Sequence, residues 1–262
     1  MKAMIFCAGL GTRLKPLTDT MPKALVPLAG KPLLQWQVEK LRDAGITDII
    51  VNVHHFPDQI IEAIKANNGW GCNITVSDER DNLLDTGGGL RKARHLLSND
   101  SILACNVDIL SNIDVRAFVK AYDLQTLGVL VVSERSTQRY LLFENDILRG
   151  WTNVTTGEYR PASLQGAGMR KLAFSGMQIL SPKIFDHMDR IVLQKGDKFS
   201  LIDLYMSICE ENQNHSTLDS TIKAYVPHGY KMMDVGKIDE IKKAEQFATL
   251  LVSPEGLEPS TH

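Results

Sequence analysis

The chain has 262 residues, 44% of them apolar, and a formal net charge of −2. One large α/β core, or a core with a small lobe, fits that length, and the absence of a basic surplus argues against nucleic acid or an anionic membrane surface as partner. Cys7, Cys72, Cys105 and Cys209 stand far apart without a C-x-x-C pair, which argues against a zinc site or disulfide framework and fits a reducing cytoplasm. The N-terminus carries no charged segment followed by a long apolar one, and no run reaches transmembrane length, so export is not expected.

Strand-length apolar runs alternate with helical segments through the first half. AMIF at 3 to 6 reads as a strand. In PLLQWQVEKLRDAG, at 32 to 45, Leu33, Leu34, Trp36, Val38 and Leu41 supply an apolar helix face; Pro32 suits the first helical position and Gly45 the exit. DIIVNV at 48 to 53 is a strand, and PDQIIEAIKANNG is a helix starting at Pro57 and ending at Gly69. NITVS at 73 to 77, SILACNV at 101 to 107 and LGVLVVS at 127 to 133 are further strands. Such alternation predicts a parallel sheet with helices on both faces, and in such sheets ligands sit beyond the carboxyl ends of the strands. The pattern changes over 134 to 171, where RYLLFEN, DILRGWTN and the Gly/Pro/Ser-rich TTGEYRPASLQGAGMRK predict a hairpin and a mobile excursion. Regularity returns with the strand LAFSGMQIL at 172 to 180, a helix near 201 to 212, a strand near 222 to 226 and a helix near 238 to 250. A single domain over 1 to 250 is expected, and the polar tail 253 to 262 is expected to be disordered.

CAGLGTRLKPLTDTMPK, at 7 to 23, leaves the first strand through two glycines. Gly9 and Gly11 permit unusual backbone angles, so consecutive N–H groups can converge on an anion. Arg13 can fork onto phosphate oxygens, Lys15 and Lys23 add point charges, and Pro16 and Pro22 limit the loop's freedom. Spacing alone leaves a structural turn as good a reading as a phosphate cradle. Two familiar phosphate loops fail here: no G-K-[ST] triplet follows, and Leu14 stands where the dinucleotide fingerprint needs a third glycine.

CAGLGTRLKPLTDTMPKALVPLAGKPLLQW resembles the signature of the sugar-1-phosphate nucleotidyltransferases, A-G-x-G-T-R-[LM]-x-P-L-T followed by P-K. LLDTGGG at 83 to 89, NVD at 106 to 108, FSG at 174 to 176 and MMDVGK at 232 to 237 continue the likeness in the family's order over nearly the whole chain. The branches most resembled are the muramic-acid-1-phosphate uridylyltransferases and the mannose-1-phosphate guanylyltransferases. The resemblance implies a Rossmann-like three-layer α/β/α sandwich of the nucleotide-diphospho-sugar transferase, GT-A-like kind, with a mainly parallel mixed sheet and a small hairpin excursion. It implies transfer of a nucleoside monophosphate from a triphosphate to a sugar 1-phosphate, with Mg²⁺ as cofactor, small-molecule partners only, and a monomer or homodimer in the cytoplasm.

By the same likeness, Ala8, Gly9, Gly11 and Thr12 contact the nucleotide, Arg13 holds its phosphates and Lys23 bridges toward the α-phosphate. Asp108 and Asp234, each otherwise a capping or turn aspartate, become the metal pair, with Asp108 counted among the catalytic residues beside Arg13 and Lys23. Magnesium usually takes one or two carboxylates plus substrate phosphates and water. Asp85, Thr86, Gly87 and Gly88 are placed near the base, where family members often carry glycine at the position of Asp85; the bland alternative is a helix N-terminus capped by Asp85 or Thr86. Asn106 faces the sugar, and Phe174, Ser175 and Gly176 line its pocket. The family's sugar-phosphate lysine is missing from 134 to 171, leaving Lys171, Arg170 or Arg139 as substitutes. His54 and His55 are assigned no function. The best substrate pair is UTP with N-acetylmuramic acid 1-phosphate; the alternatives are GTP with a mannose or heptose 1-phosphate, CTP with phosphocholine, and a non-catalytic nucleotide-sugar-binding module.

Overall fold

The computed structural model describes residues 1–97, 99–213 and 217–252; the tail predicted to be disordered lies outside them. β1 (Lys2–Phe6) is followed by the short strands β2 (Pro27–Leu28) and β3 (Lys31–Pro32), then α1 (Leu33–Asp43), β4 (Asp48–Val53), α2 (Pro57–Ala66) and β5 (Asn73–Asp78). Next come α3 (Asp85–Lys92), β6 (Ile102–Asn106), β7 (Ile109–Ser111), α4 (Val115–Ala121) and β8 (Gly128–Ser133). β9 (Arg139–Glu144), β10 (Ile147–Asn153), β11 (Glu158–Arg160) and β12 (Arg170–Leu180) precede α5 (Ile184–Lys195) and α6 (Leu201–Glu211). β13 (Ile222–Tyr225), β14 (Met232–Asp234) and α7 (Ile241–Val252) complete the described chain. Among the described residues, no helix is long and apolar enough to cross a membrane.

Contacts divide the chain into two units: Met1–Leu83 with Cys105–Ala117 and the described part of His228–His262, and Leu84–Ala104 with Phe118–Pro227. In the first, β1, β4 and β5 run parallel, with Ile5 opposite Val51 and Val51 opposite Val76. β1 and β4 are almost wholly buried, as their unbroken apolar runs require, whereas β5 alternates in burial. α1 buries the five apolar residues that define its face, and Gln37 with them. Pro32 sits one residue before the helix, and Gly45, at φ 87°, makes the left-handed exit. α2 starts at Pro57 as predicted but ends at Ala66, because Asn68–Gly71 forms a separate 3₁₀ turn. β7 and β14 form a short antiparallel pair, with Ser111 opposite Met232 and Ile109 opposite Asp234, and α7 packs against both.

The second unit orders its strands β11-β10-β13-β8-β12, with β9 against β10 and β12. Only β13 and β8 run parallel in that set. The hairpin predicted after Ser133 is β9–β10, joined by Asn145 and Asp146, both at positive φ, as a twisted two-residue turn demands. The remaining excursion adds only the short β11, a 3₁₀ turn over Ala162–Leu164 and the first two residues of β12. Register shifts in β12 between Phe174 and Gln178, where Gly176 has φ 73°, the mark of a β-bulge.

α6 begins with a capping box: Ser200 Oγ accepts from the Asp203 N–H at 3.0 Å, and Asp203 Oδ2 accepts from the Ser200 N–H at 3.3 Å. Arg160 and Lys195 each donate to Asp203 Oδ1 at 3.0 Å. Burial opposes ionisation, but these donors together hold the carboxyl well below the usual range. Ser200→Ala is expected to cost about 1 kcal/mol and Asp203→Asn more, measured by urea unfolding at pH 7. Because the folded carboxyl titrates below its unfolded value, its contribution is full at neutral pH and is lost as pH falls through about 4 and below. The stability gap between Asp203→Asn and the parent therefore narrows in acid.

Candidate active site

The exit from β1 is held by neighbouring side chains. The Cys7 N–H donates to Asn52 Oδ1 at 2.8 Å, and Asn52 Nδ2 donates to Glu79 Oε1 at 2.7 Å. Burial, reinforced by Cys105 and Asp108, raises the Cys7 thiol well above its ordinary value, which makes it packing rather than a nucleophile. The chain turns at Gly11, φ 63°, into a 3₁₀ turn over Thr12–Leu14. A Cβ on Gly11 would stand 2.8 Å from Thr18 Cγ2 and 3.1 Å from Lys23 Cβ, so the loop folds onto itself here. Thr18 Oγ1 donates to Gly11 O at 2.9 Å, and the His55 ring donates from Nε2 to Thr18 O at 3.1 Å. β4 ends at Val53, before the two histidines, and His54 bonds Glu79 O. His55 thus anchors the loop, a role its sequence position did not signal.

Gly9 differs from Gly11. It is exposed, its φ lies outside the left-handed region, and no atom comes within 4 Å of where its Cβ would be. Nothing in the fold requires glycine there. Ala8, beside it, is buried, while Thr12 and Arg13 are exposed.

Lys23 opens the loop's third 3₁₀ turn, Lys23–Leu25, after one at Leu17–Asp19, and is only 8% exposed. Its ammonium donates to Asp108 Oδ2, in the turn between β6 and β7; the two side chains are 11% and 17% exposed. Asp234 ends β14 opposite Ile109, and the next residue's N–H, from Val235, donates to Asp108 O at 2.8 Å. The strand pair thereby brings together two aspartates distant in sequence. A Cβ on Gly236 would lie 2.7 Å from Asp234 Oδ1 and 3.0 Å from Arg13 Nη2, so glycine lets carboxylate and guanidinium both approach the backbone. Partial burial and the charge of Asp108 raise the Asp234 carboxyl, with Lys23 and Arg13 pulling the other way. Arg13, Lys23, Asp108 and Asp234 therefore form one electrostatic cluster. Lys15 lies outside it, paired with Asp19 at 3.0 Å on the surface. Asn106 ends β6, half-buried, two residues before Asp108. Among the described residues no group of three His, Cys, Asp or Glu side chains could hold a metal; the cluster offers two carboxylates, a number that suits magnesium when substrate and water complete its shell.

In the second unit, Asp85 has φ 62°, a conformation favouring glycine and tolerated by Asp. Its Oδ1 accepts the Thr86 N–H at 2.6 Å, while Thr86 Oγ1 accepts the Leu201 N–H at 3.0 Å. Neither side chain caps α3 from the residue before it, which is Leu84. The Gly87 and Gly88 N–H groups donate to Phe199 O at 2.9 and 3.1 Å. A Cβ on Gly88 would stand 2.1 Å from Asp197 O and one on Gly87 2.5 Å from the Phe199 ring, so packing alone demands both glycines. Phe174, half-buried, and buried Ser175 and Gly176 lie at the β12 bulge, with Ser175 Oγ 3.5 Å from Ser133 Oγ. Of the three cations named for the missing lysine, Arg170 is engaged by Glu134 at 2.8 Å and Asp146 at 3.4 Å, and Arg139 and Lys171 are exposed. A fourth escaped sequence reasoning: Arg135 donates from Nη2 to Phe174 O at 3.0 Å, with no acidic partner among the described residues.

Comparison with known proteins identifies a match to the nucleotidyl transferase family over residues 2–250. The N-acetylmuramate alpha-1-phosphate uridylyltransferase of Neisseria meningitidis serogroup B is 32% identical over 255 residues, 95% of this chain and 98% of that protein. The mannose-1-phosphate guanyltransferase of Schizosaccharomyces pombe is 40% identical over 140 residues, 51% of this chain but 38% of that protein. A UDP-glucose pyrophosphorylase solved with UDP-glucose shares the fold, with TM-score 0.72 and 18% identity over 95% of this chain and 98% of that one.

The two loop glycines separate folding from ligand binding. Gly11→Ala is expected to lose about 1–2 kcal/mol from its left-handed conformation alone, with more from the Thr18 contact. Gly9→Ala should melt within about a degree of the parent yet bind nucleoside triphosphate more weakly, as read by calorimetric titration. Parent-like binding in Gly9→Ala would show that no ligand occupies that space.

Proposed function

The chain belongs to the nucleotidyl transferase family, and we propose that, as a sugar-1-phosphate nucleotidyltransferase, it joins UTP to N-acetylmuramic acid 1-phosphate, giving the UDP-sugar and pyrophosphate. The observation that carries the reaction is the cluster of Arg13 and Lys23, in the loop after β1, with Asp108, just before β7, and Asp234, at the end of β14. The substrate pair is supported by the uridylyltransferase relative that matches along nearly its whole length. GTP with mannose 1-phosphate is the second reading, supported by the higher identity over a shorter span.

In the proposed reaction an oxygen of the sugar 1-phosphate attacks the α-phosphorus of the triphosphate in line. The bond to the bridging oxygen breaks and pyrophosphate leaves, so the protein supplies positioning and charge rather than a covalent nucleophile. The backbone of Ala8, Gly9, Gly11 and Thr12 receives the nucleotide, with the open face of Gly9 leaving room for it. Arg13, exposed and forked, takes the phosphates, and Lys23 serves the α-phosphate from its seat on Asp108. Asp108 and Asp234 would hold Mg²⁺, which when bound supplies positive charge to the phosphate oxygens. Asp85 to Gly88 attend the base through groups other than the Gly87 and Gly88 N–H donors, already bonded to Phe199. Asn106 and Phe174 to Gly176 attend the sugar. Arg135 suits the sugar phosphate better than Arg170, whose charge two carboxylates already offset.

A pyrophosphate-release screen of the four common triphosphates against N-acetylmuramic acid, mannose, glucose and N-acetylglucosamine 1-phosphates tests the pair. UTP with the first should give the highest kcat/KM, and a preference for GTP with mannose 1-phosphate would overturn it. Asp108→Asn and Asp234→Asn should each lose at least about 100-fold in kcat/KM. Asp234→Asn should fold at least as stably as the parent, because it removes a carboxylate whose surroundings disfavour its charge. Arg135→Ala should raise KM for the sugar phosphate by about tenfold or more, the worth of a charged hydrogen bond, with little change for the triphosphate; Arg170→Ala should not.

A further inference from the structure

The buried polar face of α1 ends on the strand that presents the carboxylates. Gln37, 1% exposed among apolar neighbours, donates from Nε2 to Ile109 O at 2.6 Å. One turn on, Lys40 donates from Nζ to Ser111 O at 2.9 Å and Ser111 Oγ at 3.2 Å. Both carbonyls belong to β7, which starts one residue after Asp108 and pairs Ile109 with Asp234. Lys40 is half-buried at the edge of a pocket, and desolvation of its ammonium lowers it to about 8, with Cys105 pulling the other way. A methionine or leucine would fill such a position at less cost, so these donors need a reason.

We propose that Gln37 and Lys40 are positioning residues for the reaction, fixing the carboxylates of Asp108 and Asp234 relative to Lys23 by clamping β7 to α1. The other end of the clamp is sound: the Leu33 N–H, at the start of α1, donates at 3.1 Å to Val26 O, directly after the turn that carries Lys23. One rigid helix thus spans both partners of the Lys23–Asp108 pair. Neither residue touches the cluster itself, so each acts through backbone carbonyls, as supporting groups around a metal or phosphate site do.

The inference rests on the proposed role of the aspartate pair. Gln37→Leu and Lys40→Met, which keep volume and remove donors, should lower kcat about tenfold or more while KM for the triphosphate stays within about twofold. Mn²⁺ binding to the full chain, followed by electron paramagnetic resonance, should weaken by a similar factor. Lys40→Arg should recover most of both, since donors are restored and the pocket of about 510 Å³ that Lys40 and Ser111 line has room for a guanidinium. Variants that turn over and bind Mn²⁺ like the parent would overturn the inference, as would a parent that binds no Mn²⁺. So would losses that Lys40→Arg fails to recover while its melting temperature matches the parent's. If the parent releases no pyrophosphate with any pair, the reaction reading fails, and the Mn²⁺ titration still decides the clamp.

Discussion

The ion pair between Lys23 and Asp108 is the constraint from which the site follows. Both side chains are largely out of water, so each charge would be expensive alone. Together with Arg13 and Asp234 they balance, two positive against two negative. A balanced cluster tolerates a polyanion only if positive charge arrives with it or a carboxylate is satisfied otherwise. On the proposed reading, a triphosphate carried with a divalent cation would do both, with Lys23 still seated beside Asp108. Desolvation, then the charge of Asp108, raises the Asp234 carboxyl against the pull of the two cations.

Glycine serves three packing purposes in motifs that look alike on the page. Gly11 makes a left-handed turn with no room for a side chain, Gly236 admits Arg13 to Asp234, and Gly87 and Gly88 let α3 sit on the 197–199 backbone. Gly9 answers to none of these demands. A run of glycines in a family signature therefore mixes packing requirements with ligand requirements, and geometry separates them. Here the separation concentrates the case for an external ligand on a single residue of the opening loop.

Much of the first unit was legible because its strands and first helices follow simple periods: β4 spans the run read for it, and the five apolar residues of α1 are all buried. β7 and β14, three residues each, are too short to show a period, so the pairing that joins Asp108 to Asp234 could not be read locally. Gln37 and Lys40 look like ordinary solvent-facing residues in a helical pattern, and only the partner strand reveals them. α3, with three glycines in eight residues, runs against helix propensity, and only the capping reading of Asp85 and Thr86 signals its start. The hairpin after Ser133 is visible in the paired runs RYLLFEN and DILRGWTN. The rest of that stretch shows no period because its strands are brief and interrupted by Gly and Pro. Asp85 was legible as an oddity, and its positive φ explains why glycine suits that position.

The support around the cluster is built from polar groups that stop at the backbone. Asn52 and Glu79 hold the Cys7 amide, His55 and Thr18 hold the carbonyls of the loop, and Gln37 and Lys40 hold those of β7. Apolar packing could bury these surfaces, but it would not set the direction of each peptide group. Directional bonds do, and a reaction that depends on aligning two anions needs position more than it needs a strong base or nucleophile. Directional donors around a small set of charges are thus what this chemistry asks of the first unit, and they account for the polar side chains that stand among its apolar packing.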